Sequence, residues 1–91
     1  FENRKELISE MYRQANRYRE EGNLAYALKL YYFSTILMNS IPDERIYYAG
    51  TDFTTEIPKA IHSILLNMQF NYVKSKVNSE GLLNLFLNVN Y

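Results

Sequence analysis

The chain has 91 residues, enough for one modest hydrophobic core and too few for two. Ten acidic and ten basic side chains cancel, which removes the electrostatic argument for nucleic acid or an anionic membrane as the main partner. Cysteine is absent, excluding a disulfide framework and a thiolate metal site, and no apolar run approaches the roughly 20 residues that span a bilayer.

The expectation is a soluble domain of the cytoplasm or nucleus, without a cofactor or membrane insertion. Phe1 is not an initiating methionine, so the segment reads as excised from a longer protein. Over residues 6–21, Leu7, Ile8, Met11, Ala15 and Tyr18 recur at steps of three and four and predict an amphipathic helix. Glu10, Arg13, Arg17, Glu20 and Glu21 fall on its other faces. Gly22 suits the left-handed position after a helix, and the Asn23 side chain can cap the next one. So short a turn predicts antiparallel packing.

Residues 24–39 form the second expected helix, with Ala27, Leu28, Tyr31, Ser34 and Thr35 on a small-and-aromatic seam. Leu30, Phe33, Ile36, Leu37 and Met38 leave little polar surface, as in a helix held between layers. Pro42 disfavours helical geometry at Ile41 and ends the run. Residues 43–54 show no period and read as a connecting loop, tacked down by Tyr47 and Tyr48. Thr54 or Thr55 can cap a third helix that takes Pro58 in its first turn.

Ile57, Ile61, Ile64, Leu65, Met68, Tyr72 and Val73 then make an apolar stripe continuing to about Lys76. A turn is expected at Lys76-Val77-Asn78, and Asn78, Ser79 and Glu80 supply capping chemistry for a fourth helix over residues 81–88. That helix is apolar nearly all round. Leu82, Leu83, Phe86 and Leu87 are therefore the expected self-association surface, giving a homo-oligomer unless a following repeat covers them.

The two hairpins align. Tyr18, the turn Gly22-Asn23-Leu24, and then Ala27, Tyr31 and Ser34 correspond to Tyr72, Lys76-Val77-Asn78, and then Gly81, Leu85 and Asn88. This register resembles the tetratricopeptide repeat, which has a late aromatic, a Gly-Asn or Gly-Asp turn, and small and aromatic residues in its second helix. Repeat one covers residues 8–41, residues 42–54 form a loop, and a degenerate repeat two covers residues 55–91. Together they make a single domain. The expected fold is all-α, with antiparallel hairpins in a right-handed stack of about four helices.

The insertion between the repeats is similar to that of co-chaperone members such as the large immunophilins. The segment Leu66-Asn67-Met68-Gln69-Phe70-Asn71-Tyr72-Val73-Lys74 is similar to their Leu-Asn-Leu-Ala-x-x-Tyr-x-Lys run. The resemblance implies an adaptor whose concave helices bind a peptide or partner helix. In those members the ligand is the Glu-Glu-Val-Asp tail of a heat-shock chaperone, held by amides and basic side chains. Asn16 and Asn67 fall on the two Asn positions of that carboxylate clamp. Tyr12 stands where its first basic residue is expected.

The implied groove comprises Ser9, Tyr12, Asn16, Arg19, Ser63, Asn67, Phe70 and Lys74. A plainer reading makes Asn16 a solvated residue and Asn67 a buried amide that fixes the loop. Arg13 and Arg17 either supply the missing charge or pair with Glu10, Glu20 or Glu21 on the helix surface.

No catalytic constellation accompanies the single histidine. His62 has no acid nearby to orient it and reads as a helix-surface residue, so an enzyme is not expected. A scaffold that self-associates through the apolar fourth helix is the competing reading. A three-helix domain of the microtubule-interacting-and-trafficking type is another, because its first two helices carry a similar Gly-Asn hairpin pattern.

Overall fold

The computed structural model describes residues 2–80, with side-chain surroundings through residue 72. It contains three helices, α1 (Glu2–Glu20), α2 (Leu24–Asn39) and α3 (Phe53–Glu80), and two short strands, β1 (Tyr47–Tyr48) and β2 (Thr51–Asp52). The fold is mostly α. Helix α2 is the central element, packed on α1 along one flank and on α3 along the other.

The α1–α2 turn forms as its residues dictate. Gly22 takes φ +87°, the Asn23 N–H donates to the Tyr18 carbonyl at 2.9 Å, and the Gly22 N–H donates to the Arg19 carbonyl at 3.0 Å. These two bonds define a Schellman closure, which satisfies carbonyls that the helix end would otherwise orphan. Arg17 and Arg19 lie in this last turn, where cations oppose the helix dipole. Asn23 then caps α2 by accepting from the Tyr26 N–H at 3.3 Å. Pairs running from Tyr18 on Tyr26 to Arg4 on the Ser40 carbonyl show that the two helices are antiparallel.

Ile8, Ala15, Ala27, Tyr31, Ile57 and Ile64 are fully buried and draw the core from all three helices. The alanines and Ser34 let the backbones approach. Ser34 is buried at no polar cost, because its hydroxyl donates to the Leu30 carbonyl at 3.0 Å.

Residues 43–54 differ from the expected plain loop. Tyr47 pairs with Asp52 and Tyr48 with Thr51 in an antiparallel hairpin. Its turn residues, Ala49 at φ +49° and Gly50 at φ +81°, both lie in the left-handed region, as a type I′ turn requires. Each strand spans two residues, too few for alternation to show in the sequence. Tyr48 packs on the core, whereas Tyr47 stays exposed. Ala49 takes a conformation that L-residues other than Asn, Asp and Gly avoid. Ala49→Asn is therefore expected to stabilise the fold by about 0.5–1 kcal/mol, read as a higher urea midpoint at unchanged m-value.

The cap of α3 also differs. Asp52, rather than Thr54 or Thr55, precedes the helix, accepting from the Thr54 N–H at 3.2 Å and the Thr55 hydroxyl at 3.0 Å. Thr54 instead accepts from the Ile46 N–H at 2.8 Å and ties the hairpin base to the helix. Partial burial opposes the Asp52 charge, but the Thr55 hydroxyl, Arg45 and the Thr54 N–H outweigh it and hold the carboxyl below its usual range. The helix starts early enough that Pro58 sits beyond the first turn, inside α3.

The turn expected at Lys76-Val77-Asn78 is not formed, because α3 runs unbroken to Glu80. No Gly or Pro lies between residues 73 and 80, so nothing there stops the helix. At 1.5 Å per residue, the 28 residues of α3 span about 42 Å and the 16 of α2 about 24 Å. Since Leu24 at the start of α2 shares a cleft with Asn67, the last part of α3 projects past α2. The expected fourth helix, with Leu82, Leu83, Phe86 and Leu87, lies outside the described residues.

Candidate functional site

Helices α1 and α3 lie on either side of α2 and leave a groove between them. One part, about 400 Å³, is lined by Asn16, Arg19, Glu20, Leu24 and Asn67. A smaller adjoining part, about 170 Å³, is lined by Tyr12, Arg19, Glu56, Lys59, Ala60 and Ser63. Arg19 belongs to both.

The helical period explains the convergence. Tyr12, Asn16 and Arg19 follow one another at steps of four and three on α1, as do Ser63, Asn67 and Phe70 on α3. The guanidinium of Arg19 crosses the groove and donates to the Ser63 hydroxyl at 2.7 Å. Tyr12 packs edge-on against Phe53, with centroids 5.4 Å apart, and lies 6.0 Å from the ring of Tyr31. Asn16 is half-buried and accepts a hydrogen bond from the Tyr31 hydroxyl. Five of the expected groove residues, Tyr12, Asn16, Arg19, Ser63 and Asn67, thus share one cleft system.

The others are placed differently. Phe70 continues the α3 stripe at 65% exposure but lines neither part of the groove. Lys74 follows one turn further along the helix backbone. Ser9 faces a separate cavity of about 400 Å³ between α1 and the hairpin, which Tyr12 and Phe53 also line. Asn67 is exposed, which corrects the alternative of a buried amide fixing the loop. Asn16, bonded to Tyr31, is not a simply solvated residue.

Arg13 pairs with Glu10, and Arg17 donates to Gln14 at 2.7 Å while lying over the Tyr18 ring. Neither lines the groove. His62 is exposed on α3.

Sequence reasoning passed over Tyr31, Glu56 and Lys59. The last two were findable, since Glu56, Lys59 and Ser63 lie at steps of three and four. Tyr31 sits on the buried stripe and reads there as core. Burial raises its pKa above the ordinary tyrosine value, with the Arg19 guanidinium pulling the other way, so the hydroxyl is a proton donor at neutral pH.

Apolar side chains are also exposed outside the groove: Tyr32, Phe33 and Ile36 on α2, and Leu65 and Leu66 on α3. Among the described residues no group of three His, Cys, Asp or Glu side chains could hold a metal ion, and no helix is long and apolar enough to cross a membrane. No protein-family model, curated protein or solved structure matches the chain.

Proposed function

We propose that this chain is a protein-interaction module that takes an extended peptide or a partner helix in the groove between α1 and α3. The observation that carries the reading is the convergence of Asn16, Arg19, Ser63 and Asn67, from two helices far apart in sequence, on one polar cleft beside the aromatic Tyr12. Amides, a guanidinium and a hydroxyl on rigid helices recognise peptide oxygens by hydrogen bonding and charge. In its narrower, tetratricopeptide-like form the ligand is the acidic tail of a heat-shock chaperone.

A fluorescence-polarisation titration with a labelled peptide ending in Glu-Glu-Val-Asp tests that form. Saturable binding is expected, weakened about tenfold by Asn67→Ala, since a hydrogen bond to a charged group contributes about 1.5 kcal/mol or more. Absence of binding, or indifference to the substitution, removes the narrower form. A scaffold role is favoured by the exposed Tyr32, Phe33, Ile36, Leu65 and Leu66. Light scattering on the same samples separates the readings: the groove module titrates as a monomer, whereas the scaffold gains mass with protein concentration.

A further inference from the structure

A side-chain amide has two faces, a carbonyl that accepts and an NH₂ that donates, and a cleft's selectivity depends on which one meets the ligand. We infer that Tyr31 sets this polarity, holding the Asn16 amide with its carbonyl inward so that the groove offers donors and selects a partner group that accepts, a carboxylate or backbone carbonyl oxygen. The inference rests on the groove reading above and goes beyond it by naming the positioning residue and the ligand chemistry.

The Tyr31 side chain is fully buried, and its hydroxyl has one proton to give. Arg19 is near enough to that hydroxyl to oppose the rise in its pKa, and a guanidinium can only donate, so it is no acceptor for the proton. The proton therefore goes to Asn16 Oδ1, the bond that the structure contains. With Oδ1 engaged, the free end of Asn16 is Nδ2, a donor. Ser63 has the same logic. Its oxygen accepts from Arg19, which leaves its own proton available.

Arg19 makes no ion pair with a carboxylate among the described residues. The centre of the groove thus carries an NH₂ and an O–H to which the described residues supply no acceptor, beside a guanidinium that is engaged with the Ser63 oxygen and has no carboxylate partner. Glu20 and Glu56 line the groove as well, but each belongs to only one of its two parts, whereas Arg19 belongs to both.

Nuclear magnetic resonance on the ¹⁵N-labelled protein tests this with sodium acetate and methylammonium chloride as probes at matched ionic strength. In the free protein, the Asn16 Nδ2 protons should lie away from the Tyr31 ring, without strong contacts to it. Acetate should shift the Asn16 side-chain NH₂ and the Arg19 Nε–H signals, and methylammonium should not. Tyr31→Phe should weaken the acetate response about fivefold and release the amide from its single orientation. Asn16→Asp keeps an acceptor for Tyr31 but presents a carboxylate to the cleft, and should abolish the acetate response.

Strong contacts from Nδ2 to the Tyr31 ring overturn the inference, as does an acetate response that is absent in the wild type or survives Tyr31→Phe undiminished. If Tyr31→Phe does not fold, the free-protein contacts and Asn16→Asp still decide. Acetate selectivity without peptide binding sinks the peptide reading and leaves the inference standing.

Discussion

Phe53→Ala is expected to cost about 3–5 kcal/mol of unfolding free energy, measured by urea titration followed by circular dichroism. Phe53 is 1% exposed and is the first residue of α3. Its ring meets Tyr12 edge-on from α1, and its N–H donates to the Ile46 carbonyl at 2.9 Å, at the base of the hairpin. One residue therefore joins three elements, and although its backbone bond to Ile46 survives the substitution, loss of the buried ring leaves a void that rigid helix backbones cannot close. A domain of this size holds roughly 5–14 kcal/mol in total, so the loss is a large fraction. The same truncation removes the neighbour of Tyr12 and should loosen that end of the groove. A cost below about 1 kcal/mol would show that the junction collapses around the gap, contrary to this account.

Ala27→Leu should produce the second-largest loss, by overfilling. Ala27 of α2 and Ala15 of α1 are both fully buried in the core. Three added carbons have no room there, and the helices must separate or the leucine must leave its preferred rotamer. The expected cost is about 2 kcal/mol, or roughly 8–16 °C in Tm for a domain of this length. Ala25→Leu is the control. Ala25 lies two residues away on the exposed surface of the same helix and should change Tm little. Equal effects of the two substitutions would mean that helix propensity, and not packing, governs this position.

The helical hairpin could be read from the sequence because several local signals agree there. The 3.6-residue period, Gly22 and Asn23 all point to one boundary, and α2 covers the expected residues. The β-hairpin could not, because two-residue strands carry no period and Ala49 is not a residue that announces a type I′ turn. Asp52, Thr54 and Thr55 are all competent caps within four positions. The choice among them is made by Ile46, whose N–H takes the Thr54 hydroxyl and leaves the helix end to Asp52.

The turn expected at Lys76-Val77-Asn78 rested on the register of the first hairpin alone. No residue there interrupts a helix, and local propensity prevails. In the groove, the grouping of Asn16, Arg19, Ser63 and Asn67 was implied by the tetratricopeptide-like register, while helical spacing aligns Asn16 with Arg19 and Ser63 with Asn67 only within their own helices. The part played by Tyr31 was hidden, since a buried aromatic at a helical step is first of all packing. Its hydroxyl acquires meaning only when Asn16 and Arg19 are seen beside it.

The Schellman turn at Gly22 also bears on the order in which the molecule assembles. Contacts across it, such as Tyr18 on Tyr26, join residues close together in the chain, so little loop entropy is lost in making them. Contacts between α1 and α3, such as Arg19 with Ser63, close a loop of more than forty residues. The α1–α2 pair is therefore the early-forming unit, and the groove is completed only when α3 docks on it, so the cleft between α1 and α3 is the last part of the fold to come into existence.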